Sequence, residues 1–151
     1  MCRLMQVRQK SWLILALVAL AGCLLFSPLA QAAGNVIGRI DGIRLAGGQY
    51  QISGWACQQE VSDSIDIQVF ANASAFATPK GSLVLSGVAN LPNEPAVSQA
   101  CRDQGGKHRF QVTLPSQILA TYQGRPLYIH GIRKQGVVTN ALLMRWPASR
   151  R

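Results

Sequence analysis

The sequence predicts an all-β fold, mainly antiparallel, and three observations carry that prediction. From Asn35 onward the apolar residues alternate with polar ones or gather in runs of strand length, the pattern of strands with one buried face. Gly, Pro, Asn and Asp punctuate these runs, supplying the backbone conformations that turns require. Two cysteines, Cys57 and Cys101, stand well apart in the same stretch, and an even pair in an exported chain usually closes a disulfide.

Val36 to Leu45 sets Ile37, Ile40 and Ile43 among glycines and charges, Ala46-Gly47-Gly48 turns the chain, and Tyr50 to Cys57 returns, which together read as a hairpin. Ser64 to Phe70 alternates most cleanly: Ile65, Ile67 and Val69 are expected on one side, and Asp66, Gln68 and Phe70 on the other. Ala71 to Lys80 reads as a connection of small and polar residues, and Ser82 to Val88 as the next strand. Asn93-Glu94-Pro95 predicts a short helix running to about Cys101, with Asn93 as its cap and the proline in the first turn. Gln104-Gly105-Gly106 leads into a strand from His108 to Leu114, after which Pro115-Ser116 opens a helical turn that Gln123-Gly124 closes. The last strands, Pro126 to Ile132 and Thr139 to Trp146, flank a polar turn at Arg133 to Gly136. About seven strands with one or two short helical inserts amount to an Ig-like β-sandwich. The disulfide would tie the end of the second strand to the helix before the fifth.

Ahead of this domain stands a leader. Arg3, Arg8 and Lys10 precede an uncharged apolar stretch from Trp12 to Phe26, which at roughly 15 residues is shorter than the roughly 20 that cross a bilayer. Pro28 and the small-residue site Ala30-Gln31-Ala32 complete a signal-peptide pattern. Residues 1–32 are therefore expected to be removed and 33–151 to form a single domain, secreted or periplasmic. Leu20-Ala21-Gly22-Cys23 competes with this reading, because it resembles a lipobox that would leave a lipoprotein anchored through Cys23. The apolar Leu24-Leu25-Phe26 behind it, where a polar tether is expected, argues against that outcome.

Cleavage after Ala32 removes three of the fifteen basic residues and none of the six acidic ones, so the formal charge falls from +9 to +6. That excess suits an anionic polysaccharide or the envelope surface as partner. The basic residues are scattered and form no run, so nucleic acid is not expected as a partner. A membrane is expected as one solely if the chain is lipidated at Cys23.

No catalytic residues are assigned, and the chain is read as no enzyme. It has no G-x-S-x-G element, and its acids, Asp41, Glu60, Asp63, Asp66, Glu94 and Asp103, lie mostly in turn-like or polar contexts. His108 and His130 share no metal-ligand spacing with the cysteines, so no metal or cofactor is assigned. Each histidine is expected to be structural, with an imidazole nitrogen satisfying a loop carbonyl at the end of the sandwich. Trp55 is expected to pack against the disulfide in the core. Tyr50, Tyr122 and Tyr128 are the candidate ligand-binding rings, since a sugar face stacks on an aromatic ring while its hydroxyls bond nearby polar groups; Arg109 and His130 complete the set. The basic tail from Arg145 to Arg151 is expected to be a frayed, solvated terminus.

Gly54-Trp55-Ala56-Cys57, the strand from Ser64 to Phe70, Ala89 to Val97 with Cys101, His108-Arg109-Phe110, and Tyr128-Ile129-His130-Gly131-Ile132 resemble a small β-sandwich module of bacterial secreted proteins. That module is marked by G-W-A-C-D, H-R-F and Y-V-H-G-I elements, and the resemblance covers nearly all of residues 33–151. It implies an accessory or binding domain without known catalytic activity. Gln58 stands where the module tends to carry an acid, so a role for that carboxylate is not expected here. The expected function is thus a secreted, non-catalytic binding module for anionic glycan or cell-envelope components. The alternative is a periplasmic inhibitor or accessory subunit whose partner is a secreted enzyme.

Overall fold

The computed structural model describes residues 33–136 and 139–146. The leader, with the Ala32 cleavage site and Cys23, lies outside the described residues, as does the tail beyond Trp146. The elements are β1 (Val36–Ala46), β2 (Gln49–Gln58), β3 (Asp66–Ala71), β4 (Ser82–Val88), α1 (Pro95–Cys101), β5 (Arg109–Leu114), α2 (Ser116–Thr121), β6 (Leu127–Ile132) and β7 (Ala141–Trp146). No helix among the described residues is long and apolar enough to cross a membrane.

The strands form a three-stranded sheet, β1-β2-β5, and a four-stranded sheet, β4-β3-β6-β7, with every pairing antiparallel. This is the order of an Ig-like sandwich, except that the fourth strand joins the third instead of sitting on the opposite sheet as in constant domains. The first hairpin turns on Gly47 and Gly48, whose φ values of 59° and 75° are those of the two-residue turn that matches strand twist.

Alternation sends Ile52, Ala56, Phe110, Val112 and Leu114 inward from the first sheet and Ile67, Val69, Leu127 and Ile129 inward from the second, where all are buried. The sheets approach closely at Gly87, where a Cβ would lie 2.4 Å from Val112 Cγ1. Any side chain there would force the layers apart.

Cys57 and Cys101 form the disulfide, with Cα atoms 6.0 Å apart. It does not lie in the core between the sheets. Cys57 and Trp55 point the opposite way from Ala56, and with Ile37, Val97 and Cys101 they make a separate cluster between the first sheet's outer face and α1. Trp55 does pack on this disulfide cluster, but it remains half-buried there.

One local expectation is corrected. Asn93 does not cap α1; the cap residue is Glu94, without a side-chain bond, because Asn93 is committed elsewhere. Its Oδ1 accepts the His108 backbone N–H at 3.0 Å and its Nδ2 donates to Ser98 Oγ at 2.9 Å, joining α1 to the start of β5. Gln58 is fully buried and has a structural task of its own. Its Oε1 accepts the backbone N–H groups of Lys134 and Gln135, each at 2.9 Å, and its Nε2 donates to the Gln135 carbonyl at 2.7 Å. A carboxylate could accept those two bonds but could not donate the third, so the amide suits this position.

Candidate functional site

The outer face of the four-stranded sheet is assembled by register. Leu83, Phe70, Tyr128 and Arg145 are successive partners across β4, β3, β6 and β7, and so share one side of the sheet. A second row runs Ser86, Gln68, His130 and Leu142. Phe70 was expected on the side opposite Ile67 and Val69; it stands there, and it is 1% exposed. The segment 72–81 folds back over the sheet and covers it.

That loop contributes Phe76, Ser74 and Lys80. The Phe76 ring stands edge-on to the His130 ring with centroids 4.9 Å apart, and the Phe70 ring also meets His130 edge-on at 5.6 Å. Lys80 places its ammonium 4.9 Å from the Phe70 ring centre. On the neighbouring strands the Arg145 guanidinium lies 5.8 Å from the Tyr128 ring centre. Cation–π contact of this kind positions a charge but does not neutralise it, so each cation keeps its capacity for an anion. Among the described residues neither Lys80 nor Arg145 has a carboxylate within ion-pair distance. Large apolar side chains remain open on the same side, with Phe76 54%, Leu83 52% and Leu142 46% exposed.

The other candidate residues are dispersed. Tyr128 and His130 share β6 and its outer face, whereas Tyr50 packs against the core edge-on to Trp146, centroids 5.2 Å apart. Tyr122, at the end of α2, also packs on the core. Arg109 lies on the first sheet and is occupied: Nε and Nη2 grip Glu94, the former at 2.7 Å, and Nη1 grips Asp41. Glu94 holds the guanidinium charge in place, with Asp41 adding to it, and pushes the Arg109 pKa up; in return Arg109 lowers Glu94 to about 2.

The histidines do not meet across a sheet, and neither serves a loop carbonyl through its ring. His108 is fully buried with Nε2 2.9 Å from Asp103 Oδ2. His130 Nε2 lies 3.3 Å from both Ser74 Oγ and the Ala75 backbone N. Arg145 and Trp146, where the expected last strand and the expected frayed tail overlap, are the last residues of β7.

Sequence reasoning missed Phe76 and Lys80. A single phenylalanine amid Ala, Ser, Thr and Pro has no periodicity to mark it, and the segment looked like a plain connection. A groove of about 630 Å³ beside α1 is a weaker site. Asn93, Ser98, Arg102 and Asp103 line it, and they are already bonded to one another, to Glu60 or to His108. Among the described residues no three His, Cys, Asp or Glu side chains converge as a metal site would require. No protein-family model, curated protein or solved structure matches the chain.

Proposed function

We propose that the chain is the binding module of an exported protein, secreted or periplasmic, which takes an anionic glycan of the cell envelope on the outer face of its four-stranded sheet. One observation carries the reading: Lys80 and Arg145 lie over aromatic rings of one face and, among the described residues, have no carboxylate to neutralise them, beside the exposed ring of Phe76. An acidic polysaccharide presents the complementary chemistry, with carboxylates for the cations and flat, weakly polar sugar faces for the rings.

Retention on immobilised polygalacturonate, compared with neutral dextran, tests it. Lys80→Ala combined with Arg145→Ala should weaken binding by about tenfold or more, and salt should weaken the unsubstituted protein, because exposed charges are screened over about 10 Å at 0.1 M. Equal retention on the two matrices, or undiminished binding by the double variant, would refute the proposal.

A second reading, that of an inhibitor or accessory subunit of a secreted enzyme, draws on the exposed Phe76, Leu83 and Leu142 of the same face. It expects a stoichiometric protein partner from periplasmic extract whose capture is lost with Leu83→Asp. Recovery of no such partner counts against it.

A further inference from the structure

His130 is fully buried yet lies on the outer side of its sheet, enclosed by a loop instead of by the core. Its hydrogen bonds define its protonation state. The Ala75 backbone N–H can only donate, so Nε2, 3.3 Å away, must accept. The neutral ring therefore carries its proton on Nδ1, an atom that is buried without a hydrogen-bond partner. Ser74 Oγ, also 3.3 Å from Nε2, accepts the Phe76 N–H at 3.2 Å, and so ties the next turn of the loop to the same contact.

A second proton would reverse this arrangement. Nε2–H would then meet the Ala75 N–H donor against donor, with the Ser74 hydroxyl, which already accepts the Phe76 N–H, as its one remaining acceptor, and a full charge would sit where Nδ1–H has no partner among the described residues. The groups around the ring offer little compensation. From the loop comes the Lys80 ammonium, a like charge; β3 contributes Gln68 and Phe70, with the exposed Asp66 one row away; β6 adds Tyr128; β7 adds Leu142 and, one row away, Arg145. Burial is the main reason the His130 pKa falls below its ordinary value, and Lys80 lowers it further.

We propose that His130 is a proton-operated latch for the loop 72–81: the neutral ring holds the loop closed over the sheet, and the imidazolium releases it, carrying Phe76 and Lys80 away from the face. The sign follows from the depressed pKa of the closed state. Closure is fully favoured above the ordinary histidine value of about 6.5 and is lost as pH falls through the lower value of the closed form. The inference deepens the binding role proposed above, because Phe76 and Lys80 belong to that face, and it makes ligand retention acid-sensitive.

The latch can be measured without any ligand. In the full mature protein, the exchange protection of the Ala75 amide and the His130 ring resonances are followed by NMR as pH is lowered. Protection should fall by about tenfold or more with the same midpoint as the ring titration, below about 6.5. His130→Gln keeps an acceptor near the Nε2 position and cannot titrate, so its Ala75 protection should not depend on pH. The latch is overturned if His130 titrates while Ala75 protection is unchanged, or if the glutamine variant opens in acid as the native protein does. If that variant does not fold, the shared or separate midpoints in the native protein decide the matter. Polygalacturonate binding forms a separate arm. Loss at the latch midpoint supports both proposals, whereas a working latch in a protein that binds no polysaccharide at any pH rejects the glycan reading alone.

Discussion

The two outer faces of the sandwich use similar residues to opposite ends. On the three-stranded sheet, Arg109 is held by Glu94 and Asp41, Arg102 pairs with Glu60, and a disulfide fixes α1 against Trp55 and Ile37. On the four-stranded sheet, Lys80 and Arg145 lie over rings with no acidic partner among the described residues, and a loop without regular structure is the cover. One face has Arg109 and Arg102 paired with acids and its cover bonded covalently. The other keeps its charges available and its cover hydrogen-bonded to a titratable ring. A chain with twice as many basic as acidic residues after Ala32 cannot neutralise every cation, and topology decides where the excess is displayed. Of its six acids, Asp41, Glu60, Glu94 and Asp103 are engaged with partners, three of them with arginines and one with His108.

Breaking the covalent cover should produce the largest change. Cys57→Ala with Cys101→Ala opens a loop of 44 residues in sequence separation, which by chain entropy costs about 4 kcal/mol. Denaturant unfolding of the double variant should show a loss of that order, and the outer cluster of Trp55 and Val97 should lose exchange protection before the β3–β6 pairing does. A variant as stable as the native protein would mean that α1 docks by packing alone and that the contrast between the faces has been overstated.

Gln58→Ala is expected to rank second. It removes the buried partner of two N–H groups and one carbonyl of the exposed β6–β7 turn, and each such hydrogen bond is typically worth about 0.5–1.5 kcal/mol. Gln58→Glu sharpens the point: if the donated bond to the Gln135 carbonyl matters, the acid should be destabilised at neutral pH and partly recover when protonation supplies a donor. Chemical denaturation at pH 7 and pH 4 separates the two cases.

Much of the fold was legible in the sequence because it is written locally. The alternation of Ile65, Ile67 and Val69, the Gly47-Gly48 turn and the charge-free run from Ser82 to Val88 each act through immediate neighbours, and the corresponding strands stand where they were expected. Pairing Cys57 with Cys101 followed from counting the cysteines that remain after Ala32. The candidate site was less legible, for a physical reason. Ser74 reaches His130 across 56 positions and Asp41 reaches Arg109 across 68, and contacts of that span depend on strand order, which no local pattern encodes. Phe70 shows the limit of periodicity. Its alternation gave the correct side of the sheet, yet burial on that side comes from a loop that carries no period of its own. Asp103 and His108, five residues apart, were close enough to have been paired by inspection.

The smallest expected effect tests whether the matched face is matched in solution. Glu94 is exposed, so its pairing with Arg109 should register less in global stability than in its own titration. Arg109 lowers the Glu94 pKa to about 2. Any stability linked to it is therefore present above the ordinary value near 4.5 and is lost progressively as pH falls from there through about 2. Carboxyl NMR should find this low midpoint in the native protein and its return toward the ordinary range in Arg109→Gln. The same variant should leave polygalacturonate retention unchanged, because an arginine already committed to two carboxylates has little left for a third. A native Glu94 that titrates normally, or a loss of retention in Arg109→Gln, would place available charge on both faces and remove the distinction between them.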